Sequence, residues 1–283
     1  MKHWIFTTLI GVLSFQFSTA QIRTPEASPL QKTEQIVGVT KMTIEYSRPS
    51  IKNRVVFGDL VPYGQIWRTG ANWNTKISFD EPILVDGNRL EPGTYALYTI
   101  PNSHVWEFIF YENSDNWGLP EIWDEDRVVA KIMGEVMTLP INYETFTISI
   151  DNITHESANL GVVWEKTYVS IPIKFITDEI VQASISETIA NHPEAEDYYA
   201  AAVYYLEADK DMNQALEWIN QAIKQMGDNA EYFVYRQQAL IYAKLGNRKE
   251  ALKAAEKSLK LAEQAGNEDY VTLNKKSIEA WSS

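Results

Sequence analysis

Cysteine is absent from all 283 residues. That excludes disulfides, thiolate metal sites, iron–sulfur clusters and a cysteine nucleophile, and it excludes lipid attachment through a cysteine near the N-terminus. A chain of this length buries enough core to dispense with disulfides even outside the cell. Positive charge is also scarce. There are 25 Lys and Arg against 38 Asp and Glu, for a formal charge of −13 and a pI near 4.8. The excess is even along the chain: residues 21–176 and 177–283 each carry −7, from 13 basic against 20 acidic and 11 against 18. Nucleic acid and anionic membrane surfaces, which call for a basic footprint, are therefore excluded as main partners. Long apolar runs are missing beyond the first twenty residues. There, Lys2 and His3 precede an apolar run from Trp4 to Phe17, followed by the small residues Ser18, Thr19 and Ala20. This order predicts a signal peptide over 1–20, cleaved before Gln21, and an exported protein, periplasmic or extracellular. The run is interrupted by Thr7, Thr8 and Ser14 and is short for a span of about 20 residues, so no stable membrane span is expected after cleavage.

What is present is ordinary globular composition, 45% hydrophobic and 22% charged, with two textures. From about residue 30 to 176 the apolar residues alternate: Met42, Ile44 and Tyr46; Ile77 and Phe79; Trp106, Phe108 and Phe110; Phe146, Ile148 and Ile150; Leu160, Val162 and Trp164; Val169, Ile171, Ile173 and Phe175. A period of two marks strands buried on one face. The turn signals "VDGNRL", "EPGTY", "IPNSH" and "DNITHES" separate them, and Asp86-Gly87-Asn88 predicts a hairpin. Eight or nine short strands of this kind predict an antiparallel β-sandwich or jelly roll over 30–176, after a linker at 21–29.

After Thr177 the period becomes helical. Thr177 or Asp178 is expected to cap a helix through Ile180, Ile185 and Ile189, which Asn191-His192-Pro193 ends. A helix with Tyr198, Ala202, Tyr205 and Leu206 on one face follows. Then "KDMNQALEWINQAIKQM" and, 36 residues later, "GNRKEALKAAEKSLKLA" align Ala215 with Ala251, Leu216 with Leu252, Ile223 with Leu259 and Ala222 with Ser258. The pair resembles tetratricopeptide-type helical hairpins, although that family's period is 34 and its Trp and Gly-Tyr positions are not reproduced. The resemblance implies α-helical hairpins over 177–283 that contact a protein partner or brace the sheet, with a last helix near Val271–Trp281.

Reactive constellations are few. His155, in "HESAN", has no second histidine at zinc-protease spacing, and His104 and His192 fall in turns. Nucleophile elbows, phosphate-binding glycine loops and calcium-loop spacing are absent, and no cofactor or metal is indicated. Asp115, Glu121, Asp124, Glu125 and Asp126 cluster around one loop, which reads first as solvated charge. Asp115 and Asp126 are the first candidates if carboxylates act as acid and base.

The densest chemistry is "YGQIWRTGANWN", Tyr63–Asn74. Gly64, Gly70 and Asn72 permit a left-handed backbone and so a tight turn. Arg48 and Arg68 each offer a forked donor. Two readings stay open. In one, Trp67 is core and Arg68 pins loops through Asp59 or Glu81. In the other, Trp67, Trp73 and Trp117 wall a pocket whose polar contacts are Arg48, Arg68 and Asn72, suited to a small polar ligand or glycan.

The surrounding residues carry a further signal. Tyr46-Ser47-Arg48-Pro49, "FGDLVPYG" at 57–64, "WRTGAN" at 67–72, "PGTYALYTIP" at 92–101 and "NWG" at 116–118 together resemble the secreted bacterial domain-of-unknown-function 2911 family, over about 28–175. Asn53 stands where a glycine is expected. The resemblance implies an extracytoplasmic β domain with a helical extension, and no established reaction. The leading expectation is a binding or interaction protein. A carboxylate- or metal-dependent hydrolase or lyase on envelope carbohydrate and a purely structural envelope protein are the alternatives.

Overall fold

The computed structural model describes residues 24–112 and 115–282; the expected signal peptide at 1–20 lies outside them. Among the described residues, nine strands are followed by six α-helices. The strands are β1 (Leu30–Val37), β2 (Thr40–Ser47), β3 (Ala71–Phe79), β4 (Ile83–Val85), β5 (Asn88–Leu90), β6 (Gly93–Ile100), β7 (Val105–Tyr111), β8 (Val128–Asp151) and β9 (Ser157–Phe175). The helices are α1 (Thr177–Ala190), α2 (Ala195–Glu207), α3 (Met212–Met226), α4 (Tyr232–Lys244), α5 (Arg248–Ala265) and α6 (Glu268–Ser282). The chain divides into two compact units. One holds most of the strands; the other holds the helices together with the turn residues 36–40 and 153–157.

The strand order is β1-β2-β3-β6-β7-β8-β9-β4-β5, and the pairs β2–β3, β3–β6, β6–β7, β7–β8, β8–β9 and β4–β5 are antiparallel. The sheet folds over because β8 serves two neighbours. Residues 128–135 pair with β7 and 136–151 with β9, with register breaks between Thr138 and Thr147 that let the strand bend. The second half of β8 thereby returns over β2. Backbone bonds from Phe146 N–H to Pro49 O and from Ile51 N–H to Glu144 O, both 2.9 Å, close that side. Buried Tyr46 bridges the layers: its hydroxyl accepts from Ile148 N–H at 2.9 Å and donates to Ile148 O at 3.3 Å, and its ring meets Phe146 edge-on.

The alternating residues point inward as their period predicts. Met42, Ile44, Ile77, Phe108, Phe110, Leu160, Val162 and Ile171 are all at most 1% exposed. Strands β6 and β7 depart from simple alternation. Ala96, Tyr98, Ile109 and Tyr111 are buried on the other face, under Ile66, Trp123 and Val128. That second covered face explains why "TYALYTI" and "WEFIFY" are nearly continuous apolar runs. It also provides the floor of the site described below.

In the helical unit, α2 packs on α3 and α4 on α5 as hairpins. The matched small residues lie where helices approach: Ala215, Ala222, Ala251 and Ser258 are fully buried. The start of α1 differs from expectation. Neither Thr177 nor Asp178 caps it; Thr177 opens the helix and its hydroxyl donates to His155 O at 2.6 Å. Asp178 instead accepts from Lys210 Nζ at 2.7 Å and from the Tyr204 hydroxyl at 2.8 Å. No helix among the described residues is long and apolar enough to cross a membrane.

Two outcomes are expected. Tyr46→Phe leaves the buried Ile148 N–H and C=O without their partner and lowers unfolding free energy by about 1–3 kcal/mol in urea titrations. The Lys210 hydrogen bond, then that of Tyr204, holds the Asp178 carboxyl below the usual carboxylate range. Its contribution is therefore complete above the unfolded value of about 4 and is lost as pH falls through the lowered folded value. Asp178→Asn should lower the melting temperature of the helical circular-dichroism signal at neutral pH. The gap to wild type should close under acid.

Candidate functional site

The stretch from Gln65 to Thr69 runs beside the end of β6. Trp67 and Thr99 exchange both backbone hydrogen bonds, at 2.7 and 2.9 Å, which fixes the alternation. Ile66 and Arg68 fall on the outer face with Tyr98; Trp67 and Thr69 fall on the inner face. Gly64 (φ +71°) and Asn72 (φ +59°) take the left-handed conformations expected of them, and so, less expectedly, does buried Thr69 (φ +54°). A β-branched residue rarely adopts that backbone. Here its carbonyl accepts from Thr75 Oγ1 at 2.6 Å and its hydroxyl meets Thr99 Oγ1 at 3.1 Å, so the surroundings over-determine it.

The six residues predicted to bind ligand do not share one wall. Arg48 ties strands together: Nε donates to Phe146 O at 2.9 Å, Nη2 to Thr147 Oγ1 at 2.7 Å, and Nη1 to Gln31 Oε1. Asn72 does the same, its amide donating to Ser28 O and Ser47 Oγ, both at 3.2 Å. Trp67 sits in an aromatic cluster, stacked on Trp164 (centroids 6.1 Å, planes 15° apart) and edge-on to Phe146 at 5.2 Å. Its Nε1 donates to Gly70 O at 3.1 Å. Trp67 and Arg68 nevertheless contribute to the wall of a hollow of about 370 Å³, together with Ser50, Lys52, Arg54 and Trp164, and no carboxylate residue lines it. Arg54 uses Nε and Nη2 on the carbonyls of Ile51 and Ser50. Lys52 Nζ has no partner among the described residues.

Trp73 and Trp117 lie on the outer side. They are 52% and 65% exposed and meet edge to face at 5.4 Å, and their backbones form an isolated bridge. Arg68 turns toward the same segment. A methyl group on Gly118 would lie 3.3 Å from Arg68 Nη1, so glycine there leaves room for the guanidinium. Neither Asp59 nor Glu81 pairs with Arg68, which forms no hydrogen bond or ion pair among the described residues. Burial lowers its pKa. Asn74, Tyr98 and Asn116 join it. Asn116 N–H donates to Asn74 Oδ1, and Asn74 N–H to Asn116 O, both at 3.1 Å. Burial raises the Tyr98 phenol, opposed by the neighbouring Asn116 amide.

The acidic loop is occupied by local contacts. Asp115 pairs with Lys76 at 2.9 Å and lines a hollow of about 480 Å³ with Glu45, Trp73 and Asn74. Asp124 accepts from Asp126 N–H and pairs with Arg127; Glu125 accepts from Trp123 Nε1 and Lys131 Nζ. No group of three or more His, Asp or Glu placed to hold a metal ion occurs among the described residues.

Residues 28–173, just over half of the chain, match the family described as protein of unknown function, DUF2911. The chain belongs to the DUF2911 family. No curated protein and no solved structure matches it. In this DUF2911 protein the motifs at 67–70 and 116–118, nearly fifty residues apart, meet through Arg68 and Gly118. The sequence reading missed Asn74, Tyr98 and Asn116. Asn74 carried a signal, since asparagine is disfavoured in strand interiors and needs a reason to be there. The two tryptophan environments should differ on truncation. Trp67→Ala is expected to cost about 3–5 kcal/mol of stability, whereas Trp73→Ala and Trp117→Ala stay within about 0.5 kcal/mol, measured by chemical denaturation.

Proposed function

We propose that this DUF2911 protein is an exported binding protein that takes a small polar ligand, a sugar or sugar acid, in the hollow beside Trp67. One observation carries this reading. In a chain of net charge −13, the hollow gathers Lys52 and Arg54 without a carboxylate and sets them beside an indole. Indole faces suit the apolar face of a sugar ring, and unpaired cations suit its acidic substituents. Export is supported by the Lys2–Ala20 pattern. The helical unit has its own hollow, of about 530 Å³, where Leu206, Leu240 and Ala243 are rimmed by Glu207, Gln237 and Lys244, and the proposal gives it to a protein segment. The enzyme reading loses ground because Asp115 is paired with Lys76 and Asp126 is an exposed residue of a short turn.

Calorimetric titration with neutral sugars and uronic acids tests the proposal. The double variant Lys52→Glu, Arg54→Glu alters only exposed side chains. It should weaken uronate binding by about tenfold or more, the worth of one charge-assisted contact, while neutral sugars change little. Heat from no sugar of either class, or equal affinity in the variant, contradicts the proposal.

A further inference from the structure

We infer a second binding site, for a small anion, on the outer face of the sheet where residues 115–124 cover β3 and β6. Four of the five fully buried side-chain polar atoms that lack a partner among the described residues belong to this place: Arg68 Nε, Asn74 Nδ2, Tyr98 Oη and Asn116 Nδ2. The fifth, Thr40 Oγ1, lies at the start of β2. Native proteins pair nearly all such atoms. The Asn116 amide lies against the Tyr98 phenol, so Arg68 Nε and Asn74 Nδ2 are the two donors here that face nothing, and together they mark an occupant. Their proximity follows from backbone pairing. The Trp67–Thr99 bridge sets Arg68 beside Tyr98, the reciprocal bonds join Asn74 to Asn116, and Gly118 lies against Arg68 Nη1. Asn74 is 2% exposed and Tyr98 fully buried.

All four groups can donate. For Asn74 the orientation is fixed, because Oδ1 already accepts from Asn116 N–H and the free end must be the NH₂. The guanidinium keeps its charge at any ordinary pH, and a half-buried cation without a partner is costly. A water molecule brings two lone pairs and no charge. A carboxylate or oxyanion brings several lone pairs and the missing charge. The carboxylates of the covering loop and its edge do not fill this role: Asp115 is held by Lys76, Asp124 by Arg127 and Glu125 by Lys131, and Glu121 is exposed and unbonded to Arg68. Asn74 also lines the hollow of about 480 Å³ together with Trp73, Lys76, Glu45 and Asp115, the last paired with Lys76. Exposed Trp73, with Trp117 against it, gives the organic part of a carboxylate ligand a surface to lie on.

The test uses the purified full chain in chloride buffer at constant ionic strength, titrated separately with inorganic phosphate, sulfate and acetate. Melting temperature and tryptophan fluorescence are the readouts. Wild type should show a saturable rise with at least one anion, about 5 °C at about a hundredfold excess over Kd, and phosphate against acetate separates an oxyanion from a carboxylate source. Asn74→Asp keeps the Oδ1 acceptor for Asn116 and supplies the missing negative charge beside Arg68. It should melt above wild type without added anion and lose the anion response. Arg68→Gln should also lose the response. The Lys52→Glu, Arg54→Glu variant should retain it, which separates this site from the hollow beside Trp67. A flat wild-type titration with all three anions overturns the site. So does a response that survives both Asn74→Asp and Arg68→Gln, which marks an adventitious ion only.

Discussion

A guanidinium partly withdrawn from water, with nothing to bond, is the constraint on which the β unit's chemistry turns. Arg68 carries a charge it cannot shed, and burial works against that charge. Its neighbours make the constraint sharper. Tyr98 and the amide ends of Asn74 and Asn116 add donors where an acceptor is needed. The rest of the local structure is arranged so that this group cannot swing away. Trp67, one residue earlier, is locked into the aromatic cluster, and Thr69, one residue later, is held in a strained backbone by Thr75 and Thr99. Gly118 clears the space into which Arg68 extends.

Two other donors of the sheet obey a different logic. Arg48 and Asn72, with the same donor chemistry as Arg68 and Asn74, find carbonyls and hydroxyls in neighbouring segments and serve as fasteners. The contrast between two satisfied donors and two unsatisfied ones, in one sheet, separates architecture from recognition better than residue type does. Both sides depend on the bend in β8, which brings Phe146 and Ile148 over Tyr46 and closes the layer that Trp67 and Trp164 fill.

Much of this fold was legible in the sequence. Period-two runs marked the strands, Asp86-Gly87 marked the β4–β5 hairpin, and the matched small residues at 215, 222, 251 and 258 marked the close helix contacts. The length of β8 and β9 was not legible, because the exposed residues of 137–144 interrupt the apolar pattern while the backbone continues. Covering of β6 and β7 on both faces was hidden too, since it comes from Trp123, a loop residue remote from β6. The site divided along the same line. Arg68, Trp73 and Trp117 stood out by type. Alternation alone could not say that Trp67 faces inward and Arg68 outward until the Trp67–Thr99 bridge set the register. Asn74 and Asn116 could not be joined from sequence, because reciprocal bonds across 42 residues leave no local pattern.

Anomalous diffraction from crystals grown with selenate or bromide addresses the central claim most directly. The account predicts an anomalous peak within hydrogen-bonding distance of Arg68 Nε and the Asn74 and Asn116 amides. A lone water at that position, or a carboxylate of the chain itself bonded to Arg68, contradicts it.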